Sequence, residues 1–140
     1  MLENVHHHIV NELGQSSRTD TIFVVTAVLF NLIVLGINSA VAGEAASQEN
    51  GTAAQDIILI IFITMVILVN IIASAALNVG KQTRGKLLNG LLSMYKDQEV
   101  DQYYDQSLLI NYDKRYRLFT GVIISLGATA VLVPLVIRFL

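Results

Sequence analysis

The chain has 140 residues and a formal net charge of −2; it is 54% hydrophobic, only 14% charged, and contains no cysteine and no tryptophan. A soluble domain carries about 25% charged residues, so this composition argues against an ordinary water-soluble globule, and the near-neutral charge argues against a nucleic-acid partner. Without cysteine there are no disulfides, no thiolate metal sites and no thiol catalysis, and without tryptophan any aromatic belt at a membrane surface falls to tyrosine.

Residues 1–20 form the first segment. Leu2, Val5, Ile9, Val10 and Leu13 repeat at helical spacing, with Glu3, Asn4, Asn11 and Glu12 mostly opposite. This pattern predicts an amphipathic helix lying at the membrane surface and ended by Gly14. The polar joint QSSRTD follows, in which Ser17 or Thr19 could cap the next helix and Asp20 suits the positive end of its dipole. Within the first segment, His6-His7-His8 is conspicuous. Consecutive helical residues point about 100° apart, so the three imidazoles cannot converge on one metal. His8 and Glu12 supply at most half a site, and no metal is expected.

Transmembrane helix 1 is predicted over residues 21–42. It carries Asn31 and Asn38 seven apart on one face, and a small-xxx-small pair, Gly36 and Ala40. Its apolar run, followed by Ala40-Val41-Ala42, also fits a signal peptide with an A-x-A cleavage site. The long leader with a single basic residue, Arg18, favours a retained membrane helix. Residues 43–56 read as a small-residue, extracytoplasmic loop without Lys or Arg; the loop contains the start of an N-glycosylation sequon, Asn50-Gly51-Thr52.

Residues 57–79 are the most apolar stretch, IILIIFITMVILVNIIASAALNV, with no charged residue. At 1.5 Å per residue a helix of this length reaches roughly 35 Å, more than the ~30 Å hydrocarbon core, so it is predicted as transmembrane helix 2. Asn70, Ser74 and Asn78 form a polar stripe at four-residue spacing, and Ala73 and Ala76 allow a close neighbour.

Residues 80–117 form the one sizeable extramembrane segment. Lys81, Arg84 and Lys86 precede an apolar repeat of Leu87, Leu88, Leu91, Leu92 and Tyr95, a basic amphipathic helix suited to anionic headgroups. Gly80, Gly85 and Gly90 mark a site of bending, each worth about 1 kcal/mol against helix relative to Ala. An acidic stretch with Asp97, Glu99, Asp101 and Asp105 follows, so a helical hairpin or one long bent helix satisfies the pattern. After Lys114, Arg115 and Arg117, transmembrane helix 3 is predicted over residues 118–140, with Gly121, Ser125 and Thr129 on a small-residue face, Pro134 inside the span and Arg138 able to snorkel outward.

The expected fold class is therefore all-α: a polytopic membrane protein with three transmembrane helices, an N-terminal interfacial helix and a cytoplasmic helical segment between the second and third spans. No paired intramembrane carboxylate, G-x-S-x-G, H-E-x-x-H or phosphate loop is present, so neither an enzyme nor a cofactor is expected. One copy has too few spans to enclose a conduit, which points to a homo-oligomer packed through Gly36, Ala40, Gly121 and Ser125. Two functions fit. The first is a pore or channel for ion transport, with Asn31, Asn38, Asn70, Ser74 and Asn78 lining a polar path or bonding between helices. The second is a membrane scaffold or regulatory subunit holding a cytoplasmic protein partner or anionic lipid through residues 81–112, with Lys81, Arg84, Lys86, Lys114, Arg115 and Arg117 at the headgroups.

Arg18 lies before span 1 and Lys81, Arg84, Lys86, Lys96, Lys114, Arg115 and Arg117 lie between spans 2 and 3, with Arg138 alone on the other side. The positive-inside rule then places the N-terminus in the cytoplasm and the C-terminus outside, in the plasma or inner membrane. A cysteine introduced at Ser47 should be labelled by a membrane-impermeant reagent in intact cells. Protection until lysis would reverse the topology.

Overall fold

The computed structural model describes residues 1–47 and 52–140, and among these it is all-helical. Three long helices, α1 (Leu2–Ser47), α2 (Ala53–Asp97) and α3 (Ser107–Phe139), are joined on the α2–α3 side through a single 3-10 turn, Asp101–Tyr103. Each contains a window long and apolar enough to cross a membrane. The helices have 46, 45 and 33 residues, whereas about 20 suffice for a bilayer. Each span therefore continues without interruption into a polar extension. Cross-helix bonds from Asn31 to Asn70, Arg84 to Leu13 and His6 to Tyr95 set α1 antiparallel to α2, and the bond of Tyr116 to Asp20 sets α3 beside α1 in parallel. The extensions, residues 2–20, 80–97 and 107–117, thus gather at one end of the bundle and form a helical head.

This continuity corrects two expectations. No separate interfacial helix ends at Gly14, because α1 runs through it and through the QSSRTD joint. Ser17 and Thr19 do not cap a new helix, since both lie inside α1, and the Thr19 hydroxyl donates to the Gln15 carbonyl at 3.1 Å. Packing of residues 2–20 against α2 outweighs the helix penalty of one glycine. Gly80, Gly85 and Gly90 likewise lie inside the unbroken α2. At Gly80 the missing side chain has a use: a Cβ there would fall 3.0 Å from Asp20 Cγ, so only glycine lets α1 approach this closely. Of the two shapes allowed for residues 80–112, the structure takes the hairpin, turning after Asp97 with Glu99 at φ 57°. Of the expected loop 43–56, residues 43–47 end α1 and residues 53–56 begin α2, which opens on Thr52, whose N–H donates to Gln55 Oε1 at 3.0 Å. Asn50 and Gly51 of the sequon lie outside the described residues.

A seven-residue repeat organises the packing. The buried positions are Asp20, Ala27, Asn31, Val34, Asn38, Ala42 and Ala45 on α1, Leu59, Val66, Ala73, Leu77, Arg84, Leu88 and Leu91 on α2, and Tyr116, Ile123, Gly127, Ala130 and Pro134 on α3. Steps of three, four or seven keep one seam of each helix turned inward, the spacing that favours a left-handed supercoil. The layers stack in register: Tyr116 and Ile123 with Ala27, Ala73 and Leu77, then Val34, Val66 and Ala130. Small residues at these positions let the backbones come close where hydrophobic exclusion gives no drive between helices. Outside the seam, large apolar side chains such as Ile60, Ile71, Ile72, Leu118 and Ile124 are more than half exposed. Only 17–22% of each apolar window is buried, the pattern expected of helices whose solvent is lipid.

Between these apolar layers sits an amide layer. Asn31 Nδ2 donates to Asn70 Oδ1 at 3.0 Å, Asn70 Nδ2 returns a bond to Asn31 Oδ1 at 2.8 Å, and Asn70 also donates to the Val66 carbonyl at 2.7 Å. Gly127 of α3 covers the pair; a Cβ there would lie 2.8 Å from Asn70 Cγ. Gly127→Ala should therefore destabilise the bundle by about 1–3 kcal/mol through overpacking, read as a lowered unfolding midpoint in micelles. Gly36→Ala, where a Cβ meets open space, should not lower the midpoint and should raise it through up to about 1 kcal/mol of helix propensity.

Candidate functional site

The polar side chains of the bundle fall into three groups along its axis. Nearest the head is a cluster built from all three helices. Asp20, 7% exposed, accepts a hydrogen bond from the Tyr116 hydroxyl. Arg84, 8% exposed, sends Nη2 to the Leu13 carbonyl at 3.3 Å and lies over the rings of Tyr112 and Tyr116, at 4.9 and 6.0 Å. Its Nε is buried without a partner. Beside it Lys81 pairs with Asp113, which also takes Arg117 Nη2 at 2.8 Å. The Lys81 hydrogen bond, with the neighbouring Arg117 charge, holds the Asp113 carboxyl below the usual range. This pairing therefore contributes at neutral pH and is lost only as pH falls through that lowered value.

The second group is the Asn31–Asn70 pair. Asn38 stands alone beyond it, fully buried, with neither amide atom partnered. At the far end Asp56 Oδ1 receives Arg138 Nε at 2.8 Å, tying the start of α2 to the end of α3 and lowering the Asp56 carboxyl through that bond. Arg138, expected to snorkel, is thus given a protein partner.

The structure divides the expected site residues. Asn31 and Asn38 are buried within one chain, Asn70 and Ser74 are half-buried and Asn78 is exposed. Three residues spaced by four drift about 40° per step away from a straight line on a helix, so Asn78 leaves the seam that Asn70 borders. Gly36, Ala40, Gly121 and Ser125 are all exposed, and none belongs to the buried seam. Of the expected headgroup residues, Lys86, Lys114, Arg115 and Arg117 are exposed and Lys81 is half-buried. Arg84 is a correction: it is an interior residue whose charge is stacked on tyrosine rings. The histidines diverge as expected, with His6 Nε2 3.2 Å from the Tyr95 hydroxyl and His7 3.9 Å from Glu3. Among the described residues no group of three His, Cys, Asp or Glu side chains could hold a metal ion.

Asp20 and Tyr116 were missed as site residues. A signal for Asp20 exists, since it stands seven residues before Ala27 on the same repeat as Asn31 and Asn38. For Tyr116 there is only its place seven before Ile123. The chain matches no protein-family model, no curated protein and no solved structure.

Burial, and then the bond to Asp20, raise the Tyr116 hydroxyl from 10 to about 12. The folded state keeps this proton where the unfolded state loses it. The stabilisation is complete below pH 10 and fades as pH rises toward 12. Tyr116→Phe, which leaves a buried carboxylate short of a donor, should cost about 1–3 kcal/mol near neutral pH. Wild-type and variant melting temperatures should converge above pH 10.

Proposed function

We propose that the chain is a non-enzymatic, multi-pass membrane scaffold or regulatory subunit, with N-terminus cytoplasmic and C-terminus outside, whose helical head offers a docking platform. The observation that carries this reading is the continuity of the three helices from span to head. The three head segments are tied to one another by side chains on every helix, His6 to Tyr95, Arg84 to Leu13, Tyr116 to Asp20 and Lys81 to Asp113, and each runs unbroken into its span. A partner pressing on such a head moves the membrane part with it. The interior amides suit the same reading, since Asn31 and Asn70 use their hydrogen-bonding capacity on each other.

A homo-oligomeric pore is the second reading. It is favoured by the outward placement of Asn78, Gly36, Ala40, Gly121 and Ser125, where copies could meet and share a polar path. Two measurements separate the readings. A photo-crosslinking residue at Tyr103, 83% exposed at the tip of the head, should give a discrete adduct with another protein in native membranes, and purified protein in liposomes should pass no ions at any pH or voltage. Ion flux sensitive to Asn78→Leu, with no adduct beyond copies of the chain, would overturn the scaffold in favour of the pore.

A further inference from the structure

α2 and α3 meet at Asn70 and Gly127 and at Lys81 and Asp113, and beside these contacts a groove between them is open on the outside of the bundle. Three adjoining clefts make it up. One of about 240 Å³ at the head is lined by Lys81, Arg84, Asn89, Tyr112 and Tyr116. It shares Lys81 and Tyr116 with the next, of about 410 Å³, which adds Asn78, Arg117, Thr120 and Gly121. That one shares Ser74 and Ile124 with the deepest, of about 480 Å³, where Ile71, Ala128 and Val131 stand beside Asn70 and Gly127. Small residues keep the groove hollow: at Gly121 an added Cβ would meet nothing within 4 Å.

The two ends differ in chemistry. The head end carries Lys81, Arg84 and Arg117 against the single carboxylate of Asp113. Arg84 is more than nine-tenths buried there, with Nε unpartnered. Its Nη2 reaches the Leu13 carbonyl, but no carboxylate pairs with the guanidinium, so its buried charge favours an anion at the mouth of the groove. The deep end is apolar apart from Ser74 and the Asn70 amide, which is already bonded to Asn31. From Lys81 to Val66 the groove follows α2 for about 22 Å at 1.5 Å per residue, and one leaflet of a ~30 Å core is about 15 Å deep. A cationic mouth at the head boundary over an apolar channel of leaflet depth fits one class of molecule.

We propose that the α2–α3 groove binds one anionic glycerophospholipid, its phosphate at Lys81 and Arg117 over the buried Arg84 charge, and one acyl chain running past Gly121 and Ile124 toward Val131. This deepens the scaffold reading by naming the lipid chemistry its head would select. A second copy of the chain is the weaker occupant, because an apolar span brings no anion to Arg84.

Native mass spectrometry of the full chain in micelles tests this. The probes are palmitoyl-oleoyl phosphatidylglycerol, phosphatidylcholine with the same chains, and inorganic phosphate. Phosphatidylglycerol should bind about ten-fold more tightly than phosphatidylcholine, as near-surface basic residues warrant, and inorganic phosphate should not displace it. Gly121→Phe, which fills the groove from open space, should weaken phosphatidylglycerol about ten-fold by removing acyl-chain contact. Gly36→Phe, on the outside of α1, should not. Lys81→Gln with Arg117→Gln should erase the headgroup preference while phosphatidylcholine binding persists. Equal binding of the two lipids by the wild type, or indifference to Gly121→Phe, would overturn the proposal. So would a dimer that Gly121→Phe dissociates, which would assign the groove to a second copy. The Tyr103 adduct does not depend on the groove, so its presence without lipid selectivity would sink the lipid site alone.

Discussion

Polar side chains inside a membrane bundle must find each other, and here that requirement sets the register of all three helices. Asn31 and Asn70 exchange hydrogen bonds across α1 and α2, and Tyr116 donates to Asp20 across α3 and α1. Sliding any helix by one turn, about 5.4 Å, would break a pair and leave an amide or carboxylate facing apolar neighbours. Each membrane hydrogen bond contributes little, about 0.6 kcal/mol on average. The penalty for an unmatched group in hydrocarbon is larger, so these pairs act mainly by excluding other alignments. The apolar layers between them, packed through Ala27, Ala73 and Ala130, then supply the close contact.

One layer departs from this rule. Asn38 is fully buried with both amide atoms unpartnered. It stands seven residues beyond Asn31, as Pro134 stands seven beyond Gly127, so the two occupy one level of the seam. Pro134 has no N–H, which leaves the Ala130 carbonyl without its helical donor. Unsatisfied groups on two helices at one level make this the least settled part of the interior, between the paired Asn31 layer and the Asp56–Arg138 tie.

Much of this was legible in the residues. Three runs of apolar residues identify three helices, and the charge-free run 57–79 could be little else. The helix boundaries were harder. Gly14, Ser17, Thr19 and Gly80 carry local signals for ending or starting helices, yet all lie within continuous helices, because packing of the head overrides a penalty of about 1 kcal/mol per glycine. The same bias hid the candidate site. Asp20 reads as a dipole partner at a helix start and Arg84 as a headgroup anchor when each is taken alone. Placed on the seven-residue repeat with Asn31 and with Leu77, both turn inward. The residues of the Asn70–Ser74–Asn78 stripe diverge in burial, because a four-residue spacing rotates away from a seam that alternates three and four, leaving Asn78 exposed.

The central claim is that these helices cross a bilayer with the seven-residue seam turned inward and the remaining faces in lipid. The chain has no native cysteine, so single nitroxide labels can be placed along α2 from Val66 to Val79 in reconstituted liposomes. Oxygen accessibility should be low at Val66, Ala73 and Leu77 and high at Ile67, Ile71, Ile72 and Val79, repeating with the buried positions, while a water-soluble nickel reagent reaches none of the mid-span sites. Nickel accessibility along the outer face, or high oxygen accessibility at Ala73 and Leu77, would contradict it.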